Sequence, residues 1–193
     1  MTKTALIGVI ENEESQQKLI TSLLSDENKY HITFYESGMD FLNSKVIDEL
    51  DLIYIDLHLP DMSGLEIVKI TKTNYPAAKI VIQSSLPDEE SFFNAIISGA
   101  IGYHWKAETE DFKLKNRIFL DGGSILTPTI AFRISSFIKK YNCQGLGEIP
   151  KQILNSMTKG SSIDMIHENA KIQYSDIYKE IRNIYKTLTD CDS

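Results

Sequence analysis

Apolar residues recur along the first 120 positions in two alternating rhythms. Short runs rich in β-branched and aromatic residues, at 4–10, 31–35, 52–55, 79–83 and 100–105, predict buried strands. Between them, at 13–25, 38–46, 65–74, 88–98 and 110–120, apolar residues recur every three or four positions, which predicts amphipathic helices. Strands alternating with helices imply a parallel sheet covered on both faces, and right-handed crossovers make it doubly wound. Gly122-Gly123 closes this α/β unit. A further helix is expected over 127–141, capped by Thr127, started by Pro128 and carrying Ile130, Ile134, Phe137, Ile138 and Tyr141 on one face. Two glycines mark 142–147 as a linker, and helical patterns follow at 150–159, 163–170 and 175–188, the first two broken at Gly160. The expected organisation is an α/β domain over 1–121, a linker with a helix over 122–147 and a small all-α domain over 148–193.

Composition narrows the class. In 193 residues, 42% are hydrophobic and 24% charged, as in an ordinary globular chain. No apolar run approaches the ~18 residues of a membrane span. The run at 5–10 is too short for a signal-peptide core and is followed at once by Glu11, Glu13 and Glu14, so a cytoplasmic protein is expected. Cys143 and Cys191 stand far apart outside any CxxC context and are expected as free thiols. The net charge of −7 is uneven. Residues 1–121 carry 11 Lys and Arg against 20 Asp and Glu, whereas 148–193 carry 6 against 7. A DNA-binding domain is usually clearly basic, and this tail is not.

The chemistry gathers at the strand ends. The run 52–55 delivers Asp56 to the rim of the sheet, and a proline-containing turn and Gly64 follow. In open α/β sheets the ligand crevice lies beyond the carboxyl ends of the strands. Glu11 and Asn12 follow the first strand, Ser84 ends the fourth, and the fifth passes Tyr103 to reach Lys106. Hard oxygen ligands of this kind suit Mg²⁺. A carboxylate nucleophile beside a cation and an ammonium suits phosphoryl transfer, where charge on the equatorial oxygens must be neutralised. Phosphatases that place a second Asp two residues beyond the nucleophile are a poor match, because position 58 is His.

Residues 1–121 resemble the receiver domain of bacterial two-component response regulators. The resemblance rests on the acidic group after strand one, on Asp56 followed by Leu-His-Leu-Pro-Asp-Met-Ser-Gly, on Ser84, and on Gly99-Ala100-Ile101-Gly102-Tyr103-His104-Trp105-Lys106. It implies that Asp56 accepts a phosphoryl group from a histidine kinase or phosphotransfer protein, with Ser84 and Lys106 assisting. It also implies Mg²⁺ held by Glu11, Asn12, Asp56 and the backbone carbonyl of His58, and Tyr103 as a switch aromatic. Such a chain is not an enzyme on a separate substrate; the receiver supports only its own Mg²⁺-dependent phosphoryl transfer and dephosphorylation. Two adjacent acids usually follow strand one in the family, and Asn12 replaces the second.

At about 100° per residue, Ile177, Ile181, Ile184 and Leu188 of the last helix form one stripe, with Lys179, Arg182, Asn183 and Lys186 opposite. Residues 146–188 resemble the helix-turn-helix effector of the LuxR/NarL class, through Ile153-Leu154, Gly160, Ile166, Ile172, Ile177, Ile184 and Leu188. On that register Tyr178, Lys179, Arg182 and Asn183 face bases and Lys186 lies near the backbone. The usual Lys-Thr before the recognition helix is Ser175-Asp176, its usual histidine is Glu180, and the family's fourth helix is absent before Ser193. The expectation is a response regulator controlling transcription through DNA, with no membrane partner and with room for a homodimer through the receiver. The alternative is a signalling adaptor or phosphorylation-independent regulator whose C-terminal domain binds a protein.

Overall fold

The computed structural model describes residues 4–25, 29–86 and 89–191. It divides into two compact units, Met1–Leu120 and Asp121–Ser193. In the first, five parallel strands, β1 (Ala5–Ile10), β2 (Tyr30–Tyr35), β3 (Leu52–Asp56), β4 (Ile80–Ser84) and β5 (Gly102–Trp105), form a sheet in the order β2-β1-β3-β4-β5. Helices α1 (Glu14–Leu23), α2 (Gly38–Leu42), α3 (Gly64–Asn74), α4 (Glu89–Ile97) and α5 (Phe112–Leu120) connect and follow the strands. This is the doubly wound fold expected from the alternation. All residues of β3 and β4 are buried, as strands covered on both faces require. The strand order reverses between β1 and β3, the switch point beyond whose carboxyl ends such sheets bind their ligands.

Element boundaries differ from the expectation where side chains compete with the backbone. Helix α2 stops at Leu42, four residues early. The Ser44 hydroxyl accepts the Val46 N–H at 3.3 Å and pairs with the Tyr35 hydroxyl, drawing the chain out of the helix and into a short 3-10 turn at Ile47–Glu49. Both β3 and β4 run one residue further than expected, to Asp56 and Ser84. Asp88, the expected start of α4, lies outside the described residues.

The second unit holds α6 (Pro128–Tyr141), α7 (Glu148–Thr158), α8 (Ile163–Ala170) and α9 (Tyr174–Cys191). Thr127 caps α6 by accepting the Ile130 N–H, with Pro128 in the first turn. Gly160, after α7, has a φ of 87°, a conformation that suits glycine and ends the helix. The expected linker helix α6 packs against α7 and α9 and so belongs to this unit's core. Cys143 and Cys191, expected as free thiols, are joined in a disulfide. The two are remote in sequence, but the ends of α6 and α9 meet in space and bring their Cα atoms to 5.5 Å. Among the described residues, no helix is long and apolar enough to cross a membrane.

Candidate functional site

Strand register assembles the crevice. Ile10 pairs with Ile55, so Glu11 and Asp56 leave adjacent strands at the same level. Asp56 pairs with Gln83, and Ser84 with Trp105, which sets Ser84 and Lys106 alongside. The Lys106 ammonium lies 2.5 Å from Glu11 Oε2 and 2.9 Å from Asp56 Oδ2, and all three side chains are buried. Glu11 Oε1 accepts the Glu13 N–H at 3.1 Å, and Asp56 Oδ1 accepts the His58 N–H at 3.3 Å. The Ser84 hydroxyl is buried and hydrogen-bonds to the backbone of Leu86 at 3.2 Å, while the Lys106 N–H donates to the Ser84 carbonyl.

The electrostatics follow from burial. Burial pushes the Glu11 carboxyl up, and Lys106 and the Glu13 N–H only partly oppose it. Burial pulls the Lys106 ammonium down, but hydrogen bonds and charge from Glu11 and Asp56 outweigh that and leave it above the ordinary lysine value. The site thus gathers two carboxyl groups around one ammonium in a place shielded from water. Asn12 is exposed directly after Glu11 and offers an amide oxygen. Of the four groups that the resemblance gave to Mg²⁺, Glu11 has its two oxygens taken by Lys106 and the Glu13 N–H; Asp56, Asn12 and the His58 carbonyl are oxygen donors of the kind that suits a divalent cation keeping several waters. Among the described residues, no group of three or more His, Cys, Asp or Glu side chains is placed to hold a metal ion by itself.

Three residues position the site in ways that the sequence reading did not assign. Asp61 in the loop after β3 accepts the Gly38 and Met39 N–H groups, at 3.1 and 2.9 Å, and so ties that loop to the start of α2. Its own burial would raise the carboxyl, but those donors and the N–H groups of Asp61 and Met62 hold it below the usual carboxylate range. An acid in a Pro-Asp turn was the available signal. A carboxylate with a depressed pKa contributes stability above the unfolded value and loses it as pH falls. Asp61→Ala is therefore expected to cost about 1 kcal/mol near neutral pH, as lost caps do, and progressively less as acid protonates that carboxyl, measured by urea unfolding. Gln17 donates to the Glu11 carbonyl at 2.7 Å and steadies the end of β1. Gly64 starts α3 against the Asp56 carbonyl, where an added Cβ would lie 2.4 Å from that oxygen.

Tyr103 is buried, its ring 5.3 Å from Phe92 of α4 and 6.1 Å from Trp105. His104 packs edge-on against Phe112, and burial, with help from Lys115, pulls its pKa down to about 3. It is neutral at physiological pH and serves packing.

The five residues expected to face DNA separate. Lys179, Asn183 and Lys186 are exposed on α9. Tyr178 and Arg182 are half-buried on a different flank, where the Tyr178 carbonyl accepts the Ser124 N–H and the buried Tyr185 hydroxyl donates to the Ile125 carbonyl. Burial pulls the Arg182 pKa down. The segment before α6 thus lies along the side of α9 where sequence reasoning expected open solvent. Acids also flank the exposed set: Asn183 donates to Glu180 at 2.9 Å, and Lys179 lies 3.9 Å from Asp176. The turn into α9 is fixed by His167 stacked on Tyr174 and by the Tyr174 hydroxyl donating to Asp164 at 2.8 Å.

Residues 7–118 match the family model of the response regulator receiver domain. The chain is 25% identical to response regulator protein VraR of Staphylococcus epidermidis, over 93% of this chain and 88% of that one. It is 29% identical to the glycerol metabolism activator of Pseudomonas putida, over 73% of this chain and 69% of that one. The crystal structure of response regulator TrrA from Thermotoga maritima, in complex with Mg²⁺-BeF, superposes with a TM-score of 0.51 at 24% identity, covering 60% of this chain and 96% of that one. The fold, the gathered strand-end residues and the family match agree: this chain belongs to the response regulator receiver-domain family and is a two-component response regulator.

Proposed function

We propose that Asp56 is phosphorylated by a histidine kinase or phosphotransfer protein, and that the modified protein controls transcription through its helical unit. The single observation that carries this is the buried Glu11–Lys106–Asp56 triad at the sheet's switch point. A carboxylate oxygen of Asp56 attacks the donor phosphorus as the donor's P–N bond breaks, and the leaving imidazole takes a proton from solvent. Lys106 turns from Asp56 Oδ2 to a phosphoryl oxygen, and the Ser84 hydroxyl exchanges its Leu86 partner for another. Asp56, Asn12 and the His58 carbonyl would hold Mg²⁺, and Glu11, paired with Lys106, would fix the charge behind them. When bound, that ion neutralises charge on the phosphoryl oxygens. Movement of Ser84 frees space toward Tyr103, whose position against Phe92 links the crevice to the surface of α4, β5 and α5. The protein acts on no separate substrate and works in the cytoplasm, and a receiver homodimer through that surface fits the scheme.

For the effector, DNA contact by Lys179, Asn183 and Lys186 is the first reading, with Tyr178 and Arg182 at its edge. A second reading, a protein partner, is favoured by the acids Asp176 and Glu180 beside the exposed amines. The two separate by salt. If α9 holds phosphates, Lys179→Ala/Lys186→Ala is expected to lower the slope of log affinity against log salt by about 2, measured on the full chain with and without acetyl phosphate. An unchanged slope sinks the DNA reading and leaves the protein partner.

A further inference from the structure

We propose that Cys143 and Cys191 form a reversible thiol–disulfide switch, set by a small anionic disulfide, that fixes the 142–147 loop beside the polar face of α9. The inference does not depend on what α9 binds.

Four observations carry it. The bridge joins Cys143, two residues beyond α6, to the last residue of α9, and both cysteines are partly exposed, within reach of a dissolved oxidant. The unit does not need the bridge to build a core, because Ile134, Ile153, Met157, Ile181, Ile184 and Leu188 are already buried within it. The inference rests on the cytoplasmic setting proposed above, where a disulfide is usually transient and redox-sensing. The tethered loop is held by local bonds: it has left-handed residues at Asn142 and Gly145, the Cys143 N–H donates to the Ile138 carbonyl, the Gly147 carbonyl accepts from Lys151, and the Gln144 side chain donates back to Asn142. Yet Gly145, Leu146 and Gly147 line a groove of about 500 Å³ together with Glu180, Asn183 and Lys186 of α9.

The groove beside Cys143 indicates the oxidant. It measures about 290 Å³ and is shared by Lys139 and Lys151, the latter also paired with Glu148 at 3.0 Å. Both lysines are exposed, and their charge draws a carboxylate-bearing disulfide to the groove that Cys143 also lines. The Cys143 thiolate attacks one sulfur of that disulfide, forming a mixed disulfide and releasing the first thiolate. The Cys191 thiolate then attacks the Cys143 sulfur, closing the bridge and releasing the second. The protein loses two electrons and two protons, and the small disulfide is reduced to two thiols.

The test uses the full chain equilibrated in buffers of reduced and oxidised glutathione, with non-reducing peptide mapping and amide hydrogen exchange. The expected result is an intramolecular Cys143–Cys191 peptide that appears and disappears reversibly. Exchange across 142–147 is expected to be at least about tenfold faster in the reduced protein, while amides in the middle of α6 and α9 stay protected. Cys191→Ser is expected to trap glutathione on Cys143, and Lys139→Ala/Lys151→Ala to slow that trapping about fivefold or more. Cys143→Ser should show the fast loop exchange in both buffers. Failure to form the bridge in fully oxidised buffer, bridging only between chains, or equal loop exchange in the two buffers overturns the proposal. Faster glutathione trapping on Cys191 in Cys143→Ser than on Cys143 in Cys191→Ser overturns the assigned order of attack.

Discussion

Lys106→Met is expected to destabilise the receiver by about 3–5 kcal/mol at about pH 7.5, the usual cost of stripping the partner from buried charges. Glu11 and Asp56 would face one another with no ammonium between them, in a place where neither is open to water. Burial already pushes the Glu11 carboxyl up, and loss of Lys106 removes the main opposition. A carboxyl with a raised folded-state pKa favours the folded state at low pH, and the advantage is lost as pH rises through that value. The deficit is therefore expected to shrink by half or more at about pH 5. Urea unfolding at the two pH values reads it directly. Adding Glu11→Gln to Lys106→Met is expected to recover at least about half the loss near neutral pH, since one carboxylate then stands alone. A deficit independent of pH, with no recovery in the double variant, would mean that Lys106 acts through packing and not through charge.

Gly64→Ala is expected to act on the site through the backbone. An added Cβ would lie 2.4 Å from the Asp56 carbonyl oxygen and 3.0 Å from the Leu57 Cα. Neither is the movable end of a side chain, so either the start of α3 or the Asp56 peptide must shift. Overpacking of this kind costs about 1–3 kcal/mol, and contact with main chain places it at the upper end. The same shift displaces the Asp56 carboxylate from Lys106 and disturbs the His58 N–H that holds its other oxygen. Phosphorylation by acetyl phosphate is expected to slow more than about tenfold, because a misplacement of about 1 Å in a positioned nucleophile is that costly. Asp61→Ala, which loosens the same loop without steric pressure on Asp56, serves as the comparison and should slow it far less.

Sequence and structure agree where one strong physical preference acts alone. The run Leu52–Asp56 is apolar up to a carboxylate because a strand buried on both faces tolerates no polar side chain until it reaches the rim. That made β3, and the place of Asp56 at its end, legible before any coordinates. The early stop of α2 was not legible, because it depends on Ser44 finding Val46 and Tyr35. Asp61 was hidden for the same reason: its N–H donors lie more than twenty residues earlier in the chain. The last helix shows a subtler limit. The isoleucine stripe of α9 was read correctly, but Tyr185 is also buried, and its hydroxyl donates to Ile125. The packed face is wider than aliphatic spacing alone suggests, and it takes Tyr178 and Arg182 toward the segment before α6. The bridge between Cys143 and Cys191 was out of reach of sequence arithmetic, since only the packing of α6 with α9 brings those ends together.

The central claim is that the Asp56 carboxylate is the reactive group of this chain. Intact mass measurement after incubation with acetyl phosphate and Mg²⁺ tests it most directly. Wild-type protein is expected to gain the mass of one phosphoryl group, to lose it again on standing, and to gain nothing once EDTA replaces the metal. Asp56→Asn is expected to remain unmodified. An equal gain in Asp56→Asn, or none in folded wild type at saturating Mg²⁺, would contradict the account.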